Sequence, residues 1–496
     1  MKSSVSIEEL QDIMASLGMS TDEAGGYQSI IEGNLSRVIA SYDSDATEAA
    51  NVAREWDRPS DSNNPFGAWY VRTRIEGTET GKLAGMQVAV KDNLLLAGVP
   101  LMNGTSILEG YVPDVDAEIV TRMLDAGASI VGKTTCEAYC FSGGSHTSAT
   151  GPVRNPHDPT RSAGGSSSGS AVVVATGEVD AAIGCDQGGS IRMPASFSGI
   201  VGMKPTWGLV PYSGILGMNP NIDHAGPMTA NVRENARLLE VLAGPDGMDS
   251  RQQHTPREHI PYLETLEIGD LAGVRLGILE EGFGLETSEP EVDRAVQAAA
   301  YHLERLGASV SKISVPLHAQ ARALTSGALQ AIVTSMFDHN GCLIERPDLV
   351  PQDYIARQSE WRKRADELPA NVKSVLITAE IIRQRAGYRY IAKAKQAVQR
   401  LRSAYDDALQ RVDALVLPTT PMRATPLPAE DASPSVVNQL AFAPLANTSA
   451  FNNTHHPAIS VPCGPADELP IGMMLVGRFF EESTLYRIAH AHEQTC

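Results

Sequence analysis

The densest chemical signal in the 496-residue sequence lies between Ala163 and Pro205. It opens with Gly164-Gly165-Ser166-Ser167-Ser168-Gly169-Ser170 and runs straight into Ala171-Val172-Val173-Val174-Ala175. Glycine and serine alone describe any flexible linker. A linker, however, does not feed a small-residue apolar helix, and hydroxyls at a helix start either cap orphan amides or do chemistry. The next segment, Val179-Asp180-Ala181-Ala182-Ile183-Gly184-Cys185, reads as a buried strand ending in Asp186-Gln187-Gly188-Gly189-Ser190-Ile191-Arg192. A serine after paired glycines at a strand end can stand out from a tight turn. Gly188 and Gly189 then let a substrate carbonyl approach backbone N–H groups closely, as an oxyanion hole requires. The logic is that of a nucleophile elbow, although G-x-S-x-G itself is absent.

A serine nucleophile needs a base. Of the twelve histidines, His146, His157, His224, His455 and His456 fall near loops, and none has an orienting carboxylate close by in sequence. The other candidate is Lys91, in Val90-Lys91-Asp92-Asn93 after the apolar Met86-Gln87-Val88-Ala89-Val90. Burial there lowers a lysine's pKa, and a neutral amine accepts a proton; the ordinary alternative is a lysine reaching water from a strand end. Ser166 reads either as a helix cap or as a catalytic group. Asp186 either orients its loop or contacts substrate, and Arg192 reads as its structural neighbour. Ser167, Ser168 and Ser170 read as capping or packing residues.

Gly127-Ala128-Ser129-Ile130-Val131-Gly132-Lys133-Thr134 matches the phosphate-loop pattern letter for letter. That loop needs a strand before its first glycine and a turned, flexible backbone. Here a helical pattern precedes Gly127, and Ile130 and Val131 prefer an extended chain. The segment is expected to be a helix, a turn and a strand that binds no nucleotide.

The elements that position these groups alternate. Met86–Val90 reads as a strand, Glu118–Ala126 as a helix stopped by Gly127, and Ala128–Val131 as a strand again. Val274–Leu279, Ala414–Pro418, Ala458–Pro462 and Gly472–Val476 read as further strands, and Ser288-Glu289-Pro290-Glu291 as a capping box. Interleaved strands and helices imply an α/β fold with a mixed, mostly parallel sheet covered by helices on both faces. Residues 1–70 differ: two helices, from Ile7 to Leu17 and from Asp22 to Tyr42, precede a polar run from Asp57 to Pro65. They are expected to form a helical extension, with 71–496 as the main domain.

Forty Lys and Arg stand against 59 Asp and Glu, a net charge of −19 that disfavours nucleic acid or an anionic membrane as partner. No apolar run reaches the roughly 20 residues of a membrane span. Six scattered cysteines (136, 140, 185, 342, 463 and 496) make no disulfide framework, so a reducing cytoplasm fits. Neither Cys136 with Cys140 nor the adjacent His455 and His456 has the accompanying ligands of a metal site. The locally basic stretch 356–402 reads as a solvated helical face.

Together, Val90-Lys91-Asp92-Asn93, the Gly164–Ser170 run and Asp186–Pro194 resemble the amidase signature family. Gly202-Met203-Lys204-Pro205 and Asp223-His224-Ala225-Gly226-Pro227 extend the likeness, which covers about residue 65 onward. The N-terminal helices and Asn103-Gly104 make it similar to the bacterial enantioselective amidases that accompany nitrile hydratases. The resemblance implies the amidase signature fold, a Ser–cisSer–Lys triad of Ser190, Ser166 and Lys91, and an oxyanion hole from Gln187, Gly188, Gly189 and Ser190. It implies an acyl pocket including Cys140, Phe141 and Gly143, and the loop-orienting and substrate-contact readings of Asp186 both stay open. No metal or cofactor is needed, and a homodimer through the N-terminal helices is expected. The implied reaction is hydrolysis of small aliphatic or aromatic primary amides to carboxylate and ammonia through a serine acyl-enzyme. His146 and the polar Asn452–His456 depart from the family and leave the acyl preference open, as are carbamates, anilides and esters. The glutaminase component of a tRNA-dependent amidotransferase is the alternative within the same family.

Overall fold

The computed structural model describes residues 2–42, 52–342, 351–464 and 468–495, so Cys496 lies outside the described residues. The chain separates into two compact units, Met1–Asn51 and Val52–Cys496. The first holds helices α1 (Ile7–Ser16) and α2 (Ala24–Tyr42). Ser6 caps α1 by accepting the Glu9 N–H, and Val5, Leu10 and Ala24 form a small core with Met14, Ile31 and Leu35. The boundary falls earlier than the expected residue 70. The reason is local: Trp56 and Asp57 pair with the next strand, and the Asn64 side chain brackets Trp69, donating to its carbonyl and accepting its N–H. The polar run read as a connector is thus pinned to the larger unit.

That unit is built on one twelve-stranded sheet. Its strands are β1 (Trp56–Asp57), β2 (Trp69–Ile75), β3 (Gln87–Lys91), β4 (Ser129–Thr134), β5 (Ala181–Asp186) and β6 (Val201–Lys204). They continue as β7 (His224–Thr229), β8 (Arg275–Leu279), β9 (Ser309–Ile313), β10 (Ala414–Pro418), β11 (Ala458–Pro462) and β12 (Gly472–Val476). The spatial order is β1-β2-β4-β3-β5-β7-β6-β11-β12-β10-β8-β9. The α/β class and mixed sheet are as expected. Parallel ladders form two blocks, β4-β3-β5 and β10-β8-β9, and antiparallel pairings make up the rest.

Residue alternation shows why both faces are covered. In β3, Val88 and Val90 join one core with helix α3 (Glu118–Asp125), whereas Ala89 joins another with α4 (Ser168–Ala175) and α5 (Arg192–Ser198). In β10, Ala414 and Val416 face the first core, and Leu415 and Leu417 pack with Leu401 and Tyr405 of the helix Arg389–Arg411. Lys91 follows Val90 and so emerges on the α4 side.

The phosphate-loop match is a helix, a turn at Gly127 and strand β4, as expected. Lys133 is buried in that strand, paired with Asp92 at 3.0 Å. The capping box at 288 is corrected: Glu289 occupies the cap position of the helix Pro290–His302, while Ser288 Oγ accepts the Leu285 N–H instead. Among the described residues, no helix is long and apolar enough to cross a membrane.

Candidate active site

Strands β3 and β5 are parallel neighbours, so their C-terminal ends emerge together. This brings Lys91, the last residue of β3, to the turn that follows Asp186, the last residue of β5. The serine run lies between them. Lys91 Nζ donates to Ser166 Oγ at 2.7 Å and to the Cys185 carbonyl at 3.3 Å. Ser166 follows a cis peptide bond from Gly165 and is held on both sides: the Glu137 N–H donates to its carbonyl, and Gly165 N–H donates to Gly143 O. A Cβ on Gly165 would stand 1.9 Å from Gly144 O, so only glycine fits. The Ser167 N–H donates to the Ser190 carbonyl at 3.2 Å, joining the serine run directly to the turn that carries Ser190. Lys91, Ser166 and Ser190 are all buried.

The other serines act in packing. Ser167 Oγ donates to Cys185 O and accepts the Cys185 N–H, both at 3.2 Å. Ser170 Oγ donates to Ile183 O and meets Thr134 Oγ1 at 2.8 Å. Ser166 does not cap α4, whose cap position is Ser167.

The turn after β5 is organised by Asp186. Its two carboxylate oxygens accept the N–H groups of Gly189 (2.6 Å) and Ile191 (3.1 Å). They also accept Arg192 Nε (3.0 Å), Arg192 Nη2 (3.1 Å) and Asn452 Nδ2 (2.7 Å). Burial opposes its ionisation, but the Arg192 guanidinium and these hydrogen bonds outweigh it and hold Asp186 well below the usual carboxylate range. Two expectations are corrected here. Asp186 is wholly buried with both oxygens engaged by protein, so it orients the loop and does not contact substrate. Gly189 gives its N–H to Asp186, so it is not an oxyanion donor; the N–H groups of Gln187, Gly188 and Ser190 remain. Gly189 has φ +135°, and a Cβ there would stand 2.2 Å from Thr448 Oγ1.

Sequence reasoning missed Glu137. It is buried, and its Oε2 accepts the N–H groups of His146 and Thr147 and the Thr147 hydroxyl, at 3.1, 2.9 and 2.7 Å. It thereby fixes the loop whose Gly143 and Gly144 carbonyls abut Gly165. His146, the family departure, turns its ring to Val437 O at 3.1 Å.

Thiols surround Lys91. Cys136 and Cys140 both point at Asn103 Oδ1, at 3.9 and 3.6 Å. The Cys140 thiol is pulled down to about 6 by its hydrogen bond with Cys136 and, against burial, by Lys91. Burial and the neighbouring thiol push Cys136 well up. For Lys91, burial pulls the amine down as the sequence implies, but Cys140, Cys185 and Cys136 outweigh it and the net direction is upward. The expectation of a simply neutral lysine is corrected accordingly: the three surrounding thiols favour its ammonium form.

A cavity of about 270 Å³ opens at Gln187 and Gly188. Its apolar wall includes Ile222, Leu329, Ile332, Val375, Phe442 and Leu445, and its polar wall includes Ser374, Asn438 and Asn453. Cys140, Phe141 and Gly143 do not line it. Cys140 and Phe141 are 5% and 3% exposed and belong to the core behind; Gly143 makes room for Leu445, whose Cδ1 would lie 2.8 Å from a Cβ there. Most of the wall comes from segments 222–453 that carry no local motif. Of those residues, only Asn453 stands out in the sequence, for its polarity. Among the described residues, no group of three or more His, Cys, Asp or Glu could hold a metal ion.

Lys91 and the serines Ser166 and Ser190 are thus gathered at the end of β3 and β5, and the likeness to known proteins bears on what such a site can do. The Amidase family model matches residues 68–486, and the chain belongs to that family. It is 40% identical to the enantioselective amidase of Rhodococcus rhodochrous, over 95% of this chain and 92% of that one. It is 36% identical to the glutamyl-tRNA(Gln) amidotransferase A component of Methanosarcina mazei, over 84% of this chain and 86% of that one. The native peptide amidase of Stenotrophomonas maltophilia superposes with a TM-score of 0.69 at 30% identity, covering 84% of this chain and 83% of that one. The chain is therefore an enzyme, a hydrolase acting on carbon–nitrogen bonds.

Proposed function

We propose that the protein is a self-sufficient amidase that cuts small primary carboxamides to carboxylate and ammonia, with Ser190 as nucleophile, Ser166 as proton bridge and Lys91 as base. The 2.7 Å contact between Lys91 Nζ and Ser166 Oγ, beside the Ser190 turn, carries this reading. As Ser190 Oγ attacks the amide carbon, its proton passes to Ser166 and that of Ser166 to the neutral form of Lys91. The carbonyl oxygen becomes an oxyanion facing the N–H groups of Gln187, Gly188 and Ser190. Such donors contribute on the order of 100- to 1000-fold each in turnover. The proton then returns through Ser166 to the leaving nitrogen and ammonia departs. Water, deprotonated along the same path, attacks the ester and frees the carboxylate and Ser190. This chemistry needs no metal or organic cofactor. Free thiols at Cys136, Cys140 and Cys185 suit a reducing cytoplasm.

The test is ammonia release from a panel of aliphatic and aromatic primary amides by the purified chain, beside Ser190→Ala and Lys91→Ala. Turnover without a partner, lost in both variants, is expected. The likeness to the amidotransferase A components favours a second reading, a glutaminase that works within an assembly. Silence on every simple amide, with glutamine cut only when a partner is added, would establish that reading instead.

A further inference from the structure

Behind the acyl cavity lies a second one, of about 320 Å³, that shares Ile222 and Asn453 as walls with the first. One side is the helix Arg389–Arg411, which contributes Lys395 and Arg402 to the lining. These positions are about two turns apart and share a face. Arg402 is fixed in place: its Nε donates to Thr454 O at 3.1 Å and its Nη2 to His455 Nδ1 at 2.7 Å. His455 is held in turn, donating from Nε2 to Asn221 O at 2.8 Å and stacking on Trp207 with 4.4 Å between ring centres. An imidazole that accepts at Nδ1 is neutral, and burial together with Arg402 holds His455 well below its ordinary pKa. It therefore orients the guanidinium without supplying a counter-charge.

The charge of Asp406, one turn along the helix and hydrogen-bonded to His456 at 3.1 Å, acts on Arg402 from outside the cavity, but no Asp or Glu lines either cavity. This is a pointed absence among the described residues of a chain with 59 acidic side chains. Around the cations stand neutral amides, Asn219, Asn221 and Gln399. A half-buried guanidinium with a free edge and amide donors beside it is built to take a planar anion.

We propose that the second cavity is an anion subsite for the far end of the acyl group. On the amidase reading, on which this rests, the favoured substrates are linear carboxamides whose acyl chain crosses the first cavity, past its apolar wall and Arg322, and ends in a carboxylate at Lys395 and Arg402. The basic stretch around residues 356–402 then has a function at two of its positions, beyond a solvated face.

The experiment compares kcat/KM for ω-carboxyalkanamides of increasing chain length with alkanamides of matched length. The wild-type protein should prefer the charged series by at least about tenfold, with an optimum at one length. Lys395→Gln and Arg402→Gln should each bring that ratio toward one. Lys395 makes none of the backbone contacts that Arg402 makes, so it is the safer variant for folding. Equal kcat/KM for the two series in an active enzyme overturns the subsite and leaves the amidase reading intact. Should neither series be cut, calorimetry with suberate against octanoate decides: suberate binding weakened at least tenfold in Lys395→Gln sustains the subsite, and no preference for suberate rejects it.

Discussion

Lys91 is surrounded by three thiols and one serine hydroxyl, and on the proposed mechanism its protonation governs whether Ser166 can pass on a proton. Burial pulls the amine's pKa down, and the Cys140, Cys185 and Cys136 thiols outweigh it and push it up. Because Cys140 is the largest of the contributions that favour the ammonium, replacing it weakens that preference. The acid limb of the kcat/KM profile should therefore move to lower pH in Cys140→Ala, and a profile identical to wild type would show that Cys140 does not act on Lys91. Lys91→Ala itself should lower kcat by about 100- to 10,000-fold, the usual weight of a positioned general base.

The turn between β5 and α5 shows how an element holds the site. Asp186 ties Gly189 and Ile191 to Arg192, and Arg192 reaches on to Thr448 O at 3.1 Å and Asn452 Oδ1 at 2.7 Å. Replacing Asp186 by Asn strands a buried guanidinium, which should cost about 3–5 kcal/mol at pH 7 in urea unfolding. The folded Asp186 is depressed below its unfolded value of about 3.9. Its contribution is thus fully present above about pH 4 and is lost as pH falls through the folded value. The gap between wild type and variant should stay wide at pH 5 and narrow only in strong acid. Much of this frame is legible in sequence, because strands such as Gln87–Lys91 and Gly472–Val476 are short apolar runs bounded by turn residues. The paired glycines before Ser190 and the Gly-Ser run are equally visible. The roles of Asp186 and Gly189 are not: whether a turn N–H faces substrate or a carboxylate depends on a contact that forms only when the chain folds. The acyl wall is hidden for a related reason, since Ile222, Leu329, Val375 and Leu445 look like any core residues until the sheet gathers them. Gly189→Ala tests the turn from the other side. With φ at +135° and Thr448 in the way, turnover should drop at least about 100-fold as the oxyanion donors shift.

At the scale of the whole molecule, Lys91, Ser166 and Ser190, the groups proposed to catalyse, all lie within Val52–Cys496, while Met1–Asn51 forms a separate compact unit. Its two helices bury only three core residues, a small core for their length. Ile13, Leu17, Met19 and Ile30 are 47%, 64%, 56% and 56% exposed, an unusual amount of apolar surface for so short a segment. Sequence resemblance assigns this region to a homodimer, and these residues are the ones such a contact would bury. We expect the wild-type chain to be a dimer by size-exclusion chromatography with light scattering, and Ile13→Glu with Leu17→Glu and Ile30→Glu to be monomeric. Ammonia release should survive in that variant, because nothing in the Lys91–Ser166–Ser190 arrangement comes from the first unit. A wild-type monomer would remove the dimer. A monomeric variant with no turnover would mean that the second copy completes the site.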